Sequence, residues 1–131
     1  MKTKVSTEIE RSIGGKRIVL ACVFIGSDVH VICYGGDKAH EGAISLAAPY
    51  KNDKGTLSAS VSTLTAPGHR DDAISRALAE HFSKALGCVA TAVCGIHFEK
   101  ATPDLIKTIQ DTVSAMADEL LITVRNRGTN A

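Results

Sequence analysis

Three of the five histidines, His40, His69 and His97, fall in short turn-rich segments that also hold much of the chain's glycine. An imidazole can donate, accept, carry a proton near neutral pH or ligate a metal, so three of them from separate loops form a candidate set for metal binding or acid–base chemistry. Their spacing matches no standard metal motif. Glu41 and Glu99 flank two of them, and such carboxylates either fix an imidazole tautomer or serve as surface charge. His30 and His81 fall inside regular elements, where packing or solvation is the simpler role.

The glycines around these histidines permit positive φ and a close approach of backbone N–H groups to a ligand. The turn Pro67-Gly68-His69-Arg70 leads straight into a helix whose first N–H groups lack intrahelical partners, which makes it a candidate phosphate seat, with Arg70 able to add a bidentate contact. Asp71 and Asp72 in the same first turn are read more simply as complements to the helix dipole.

The elements that must position these groups follow from periodicity. Val5 to Ile13 alternates as a half-buried strand and ends at Gly14-Gly15. Ile18 to Ile25 and Val29 to Tyr34 are two further strands about the turn Gly26-Ser27-Asp28. Ala43 to Ala48 and Thr56 to Leu64 follow, around the polar loop from Lys51 to Gly55. Apolar residues at three- and four-residue steps predict a helix from Asp71 to Leu86, stopped by Gly87. Cys88 to Ile96 reads as a central strand. Thr102-Pro103 is a cap and first helical position for a second helix to about Leu121, with a frayed tail from Arg125 to Ala131.

Five strands, a helix, a strand and a helix imply an α+β fold, a mostly antiparallel six-stranded sheet with two helices packed on one face. If the third to fifth strands form a meander and the first helix returns antiparallel to the fifth, the sixth runs with the third and fifth. The loops after the first, third, fifth and sixth strands then share one end, which collects His40, His69 and His97. The apolar stripe of the second helix is either core or a dimer seam.

Composition narrows the function classes. A chain of 131 residues with 44% hydrophobic content is expected to form a single domain over residues 1–131, burying roughly two-thirds of its unfolded surface. Its formal net charge of +1 and its paucity of aromatics argue against a nucleic-acid partner or an anionic membrane. The start from Met1 to Lys4 lacks the pattern of a secretory signal, and no run of about twenty apolar residues appears. Cys22, Cys33, Cys88 and Cys94 each sit in apolar stretches and read as buried thiols of a cytoplasmic protein. Hydrolase, kinase and dinucleotide fingerprints are missing.

The segments Tyr34-Gly35-Gly36-Asp37-Lys38-Ala39-His40-Glu41-Gly42-Ala43, Pro67-Gly68-His69-Arg70 and Gly95-Ile96-His97-Phe98-Glu99-Lys100-Ala101 resemble, in order, those of the prenylated flavin chaperones, small proteins also named as accessory subunits of gallate decarboxylase. The resemblance spans roughly residues 5 to 122. It implies a fold similar to proteasome assembly chaperones and a homodimer that binds prenylated FMN. It also implies a partner, a decarboxylase of aromatic or unsaturated carboxylic acids, whose cofactor it matures or delivers. The cofactor-binding residues so implied are Tyr34, Gly35, Gly36, His40, Gly42, Gly68, His69, Arg70, Gly95, His97 and Glu99. His40, His69 and His97 are also the candidate ligands of a divalent or redox metal.

An accessory cofactor-binding subunit without turnover of its own is therefore the leading expectation, with no catalytic residue assigned. A metalloprotein acting on a cofactor, with zinc, iron or copper on the three imidazoles, is the alternative from another class. A ligand-free assembly chaperone is the third, and it leaves the clustered histidines without a purpose.

Overall fold

Paired positive-φ glycines, Gly14 and Gly15, suit the tight turn that folds the first two strands back on each other. In the computed structural model, which describes residues 7–68 and 71–128, β1 (Thr7–Ile13) and β2 (Lys16–Ile25) form this hairpin, and β2 pairs in turn with β3 (Asp28–Gly36). β4 (Ala43–Lys51) and β5 (Leu57–Thr65) make a second hairpin, whose loop is tied by Asn52, its side-chain oxygen accepting from the N–H groups of Lys54 and Thr56. Helix α1 (Asp72–Leu86), β6 (Ala90–His97) and helix α2 (Pro103–Gly128) complete the order. The expected strand residue Val5 lies outside the described residues.

The sheet order is β1-β2-β3-β6-β4-β5. β3 and β4 are therefore not the meander neighbours expected from sequence. β6 inserts between them, parallel to β3 and antiparallel to β4. Its small side chains suit that central position, since Ala90, Ala92 and Cys94 are all buried beneath α1. The strand directions are those expected, so β1, β3, β5 and β6 run the same way and their following loops share one end.

Both helices cover the same face. α1 lies over β4, β5 and β6, and α2 over β1 and β2. Alternate residues Ile18, Leu20, Cys22, Val29, Val31 and Cys33 meet Leu78, Phe82, Met116 and Leu120 in one core. Phe82 is fully buried, and its truncation to Ala costs about 3–5 kcal/mol in cores of this kind. Small residues on β4 let α1 sit close, and Ser45 is satisfied there by Thr63 at 2.8 Å and Ser75 at 2.9 Å.

Gly87 stops α1 in the left-handed conformation, and Thr102 caps α2 by accepting from the N–H of Leu105 at 3.1 Å. The segment from Arg125, expected to fray, is helical through Gly128, and Val124 carries the buried stripe of Leu120 and Leu121 past the expected end. That stripe belongs to the core, which removes it as a dimer seam. All four cysteines are free and buried. No helix among the described residues is long and apolar enough to cross a membrane.

Candidate functional site

The segment linking β3 to β4 crosses directly over the end of β6, and glycine makes the crossing possible. A Cβ at Gly95 would fall 1.4 Å from the carbonyl oxygen of His40, and one at Gly36 would fall 2.2 Å from that of His97. A Cβ at Gly35 would strike the Arg17 carbonyl oxygen at 2.1 Å. Backbone bonds seal the crossing: Asp37 N–H donates to the His97 carbonyl at 2.7 Å, and Gly42 N–H to that of Cys94 at 2.9 Å. These glycines thus admit neighbouring backbone, and in doing so they bring His40 beside β6.

Asp71 anchors the result. It is the N-cap residue of α1, yet its side chain makes no capping hydrogen bond. The carboxylate turns instead toward β6 and the crossing segment, where it is only 6% exposed. Oδ1 accepts from the Ile96 N–H at 3.0 Å and takes a weaker contact from the Cys94 thiol, while Oδ2 meets His40 Nε2 at 3.0 Å. Gly42 leaves room for it, since a Cβ there would lie 1.9 Å from Oδ2. The other ring nitrogen of His40 faces the Lys38 carbonyl oxygen at 3.2 Å. Both partners are acceptors, and an imidazolium donates to both where a neutral ring donates to one.

His97 stands edge-on to His40, with ring centroids 6.4 Å apart. Its side chain is about half exposed, and Nε2 lies 3.4 Å from the Glu99 carboxylate. Around the two imidazoles opens a cavity of about 580 Å³, lined on its polar side by His40, Asp71, Asp72 and His97. Ile74, Ile96, Phe98, Ile106 and Ile109 form an apolar wall. The N–H groups of the first turn of α1, at Asp72, Ala73 and Ile74, receive no side-chain cap and belong to residues of this same cavity. A volume in the range of about 300–1,000 Å³, mostly apolar with a few convergent polar groups, is what small-molecule sites present.

Below the cavity, the loop base is pinned by Asp37, which binds Lys16 Nζ at 3.1 Å and accepts from the Glu99 N–H at 2.9 Å. The Glu99 N–H bond, with Lys16 beside it, holds the Asp37 carboxyl below the ordinary carboxylate range. Cys94 pairs with Cys33 across β6 and β3, and the hydrogen bond its thiol makes to Cys33, together with burial, pushes that thiol far up, leaving it inert as a nucleophile.

Of the residues singled out from sequence, the structure gathers His40, Gly68 and His97 around the cavity. Gly35, Gly36, Gly42 and Gly95 shape the crossing behind it, and Glu99 reaches it only through His97. Tyr34 alternates with the buried Cys33 and so stands on the sheet face away from the helices. His69 and Arg70 lie outside the described residues. The expected three-imidazole metal set is not supported, because both nitrogens of His40 already face oxygen partners and no three His, Cys, Asp or Glu side chains among the described residues converge as ligands. The residue missed was Asp71. Its place at a helix start made it look like a dipole complement, and only the fold shows the carboxylate turned away. The apolar wall from α2 carried no local signal either.

Comparison with known proteins supplies a context for this geometry. The family model described as a prenylated flavin chaperone LpdD-like domain matches residues 12–125. No curated protein matches the chain. Among solved structures, a chain of a chaperone complex for yeast 20S proteasome assembly superposes with a TM-score of 0.56 at 12% identity, covering 92% of this chain and 98% of that one. At that identity the likeness is one of fold.

Proposed function

Because the chain belongs to the prenylated flavin chaperone LpdD-like family, we propose that it binds prenylated FMN in the cavity at the end of β6 and assists its maturation or delivery to a partner decarboxylase. The observation that carries this reading is the two-sided cavity, with His40, tethered by Asp71, and His97 opposite an apolar wall of Ile74, Ile96, Phe98, Ile106 and Ile109. A prenylated flavin has the same division, with a polar pyrimidine edge and phosphate on one side and an apolar, alkylated ring system on the other. In this reading the imidazoles and the uncapped first turn of α1 receive the polar groups. The cofactor's decarboxylation chemistry belongs to the partner enzyme. This chain's residues bind, orient and release.

Incubation with reduced prenylated FMN followed by desalting tests the proposal. The wild type retains the chromophore and raises the activity of a cognate apo-decarboxylase, and His40→Ala with His97→Ala loses most of both. A wild type that emerges colourless and leaves the apo-decarboxylase inactive would falsify it.

A further inference from the structure

The two edges of the sheet are built differently. β1 carries Glu8, Glu10 and Arg11, and α2 overlies it, with Arg11 paired to Glu119. Charge and cover of this kind keep an edge from pairing with other chains. β5, at the opposite edge, consists of Leu, Ser, Ala, Val and Thr, without a charge, a proline or a glycine. Its register with β4 is continuous, so no bulge turns it aside. The N–H of Ala66 donates to the Gly42 carbonyl at 2.7 Å, which fixes the phase of the ladder. Bonded pairs then fall at Ile44 with Leu64, Leu46 with Ser62, Ala48 with Ser60 and Tyr50 with Ser58. The N–H and C=O groups of Leu57, Ala59, Val61, Thr63 and Thr65 therefore point out of the sheet. Pro49, which has no N–H to give, sits opposite Ala59 and in this phase removes no bond between β4 and β5. Among the described residues, one of these outward groups has a partner, the Val61 carbonyl, which accepts from Arg76 Nη1 at 3.4 Å.

The geometry points to this edge as the docking site for an extended segment of another protein, which joins the six-stranded sheet antiparallel to β5. Main-chain bonds to the outward groups give such a strand its affinity, and the side chains on either side of it give selection. Residues of the incoming strand opposite Ala59, Val61 and Thr63 lie on the helix side of the sheet. There Arg76 is exposed and meets no carboxylate among the described residues. An acidic residue opposite Val61 draws the guanidinium off the carbonyl and frees that acceptor for the strand. The intervening residues lie on the other side, beside Ser58, Ser60, Ser62 and Leu64, of which Leu64 is 75% exposed. Apolar side chains there cover Leu64 and lengthen the row that already runs from Val93 through Ile44 to Leu64. The occupant is thus a segment of period two, apolar on one side and polar on the other, with a carboxylate at the Arg76 position. Docking of this kind needs no bound flavin and is independent of the reading above.

The probe is a synthetic peptide as long as β5, alternating threonine and valine around a central glutamate, with a lysine added at each end for solubility. Amide hydrogen exchange, followed residue by residue by NMR on the full chain, is the readout. In the free protein the amides of Ser58, Ser60 and Ser62 are protected by β4, and those of Ala59, Val61 and Thr63 exchange freely. The peptide slows the second set by about tenfold or more and leaves the first unchanged. A peptide N-methylated at the residues whose N–H groups face β5 has no effect. Replacing its glutamate by lysine weakens binding about fivefold, and Arg76→Glu reverses the order of the two peptides. The methylated and lysine peptides leave the protein unaltered, so they decide the matter even if the Arg76 variant fails to fold. Unchanged exchange at millimolar peptide overturns the proposal, as does slowing that the methylated peptide reproduces, or a folded Arg76→Glu variant that keeps the wild-type order. Protection of Ala59, Val61 and Thr63 before any peptide is added places a second copy of this chain on the edge, and that also overturns it.

Discussion

His40 and Asp71, 31 residues apart in the chain, meet at 3.0 Å with side chains 15% and 7% exposed. Removing one partner of such a buried pair strands the other, and Asp71 also satisfies the Ile96 N–H. Asp71→Ala is expected to lower stability by about 3 kcal/mol, read from urea unfolding midpoints. Asp71→Asn keeps an acceptor for Ile96 and is expected to lose less. A loss under about 0.5 kcal/mol for the alanine variant would assign the pair no structural weight.

Gly42→Ala should act on the same pair without touching either member. The added methyl occupies the space of Asp71 Oδ2, so the carboxylate must leave His40. The expected cost is about 1–3 kcal/mol with a parallel loss of flavin retention. Gly55→Ala is the comparison, since a Cβ there meets nothing and only its positive φ is strained. Equal behaviour of the two variants, in both stability and retention, would separate Gly42 from the site.

Asp37 gives a pH signature. Its carboxyl is held below the ordinary range by the Glu99 N–H and Lys16, so the unfolded chain binds that proton more readily than the folded one. Its contribution is therefore complete above the ordinary carboxylate pKa and disappears as pH falls through the lowered folded value. Comparing wild type with Asp37→Asn from neutral pH downward, the gap in unfolding midpoint is expected to close only at the acid end. A gap that is constant, or that widens as pH falls, contradicts the assignment.

Asp72 lines the cavity at the uncapped end of α1, where its charge opposes a bound phosphate. Asp72→Asn is expected to tighten FMN binding by roughly two- to five-fold at low salt, with the gain shrinking as ionic strength rises. Titration of FMN by fluorescence quenching checks both the sign and the salt dependence. Weaker binding by the variant would place the phosphate elsewhere.

The thiols supply a further kind of readout. Cys22, Cys33 and Cys94 are at most 1% exposed and Cys88 is 8% exposed, with burial raising the Cys88 thiol as well. An aromatic disulfide reagent should therefore find almost no reactive thiol in the native protein and all four after urea unfolding. Rapid labelling of the native state would show that the core opens far more readily than its packing implies.

Much of this molecule can be read from residue order. Alternation and turn glycines locate the strands, Thr102-Pro103 and Gly87 mark helix ends, and the directions of the strands place His40 and His97 at one end of the sheet. Pairing partners are another matter, because periodicity says which face a residue occupies and nothing about which strand lies beside it. The insertion of β6 between β3 and β4 was hidden for that reason. The glycines announced an unusual backbone, but whether Gly95 makes room for a ligand or for the His40 carbonyl depends on a segment 55 residues earlier in the chain. Asp71 was obscured by its own position, since a carboxylate at a helix start has a sufficient local explanation.

The position of β6 also governs the order in which this protein can be built. β1, β2 and β3 form one sheet fragment and β4 and β5 another, and in the finished sheet only β6 joins them. Until the ribosome has released the chain through His97, β3 and β4 each present an unpaired edge and the apolar faces they carry have no complete core to enter. The hairpins can form early from local contacts, but closure of the sheet is a long-range event that waits for the penultimate element. Translation of the last third of the chain is therefore the interval in which a nascent copy is most exposed to mispairing with another.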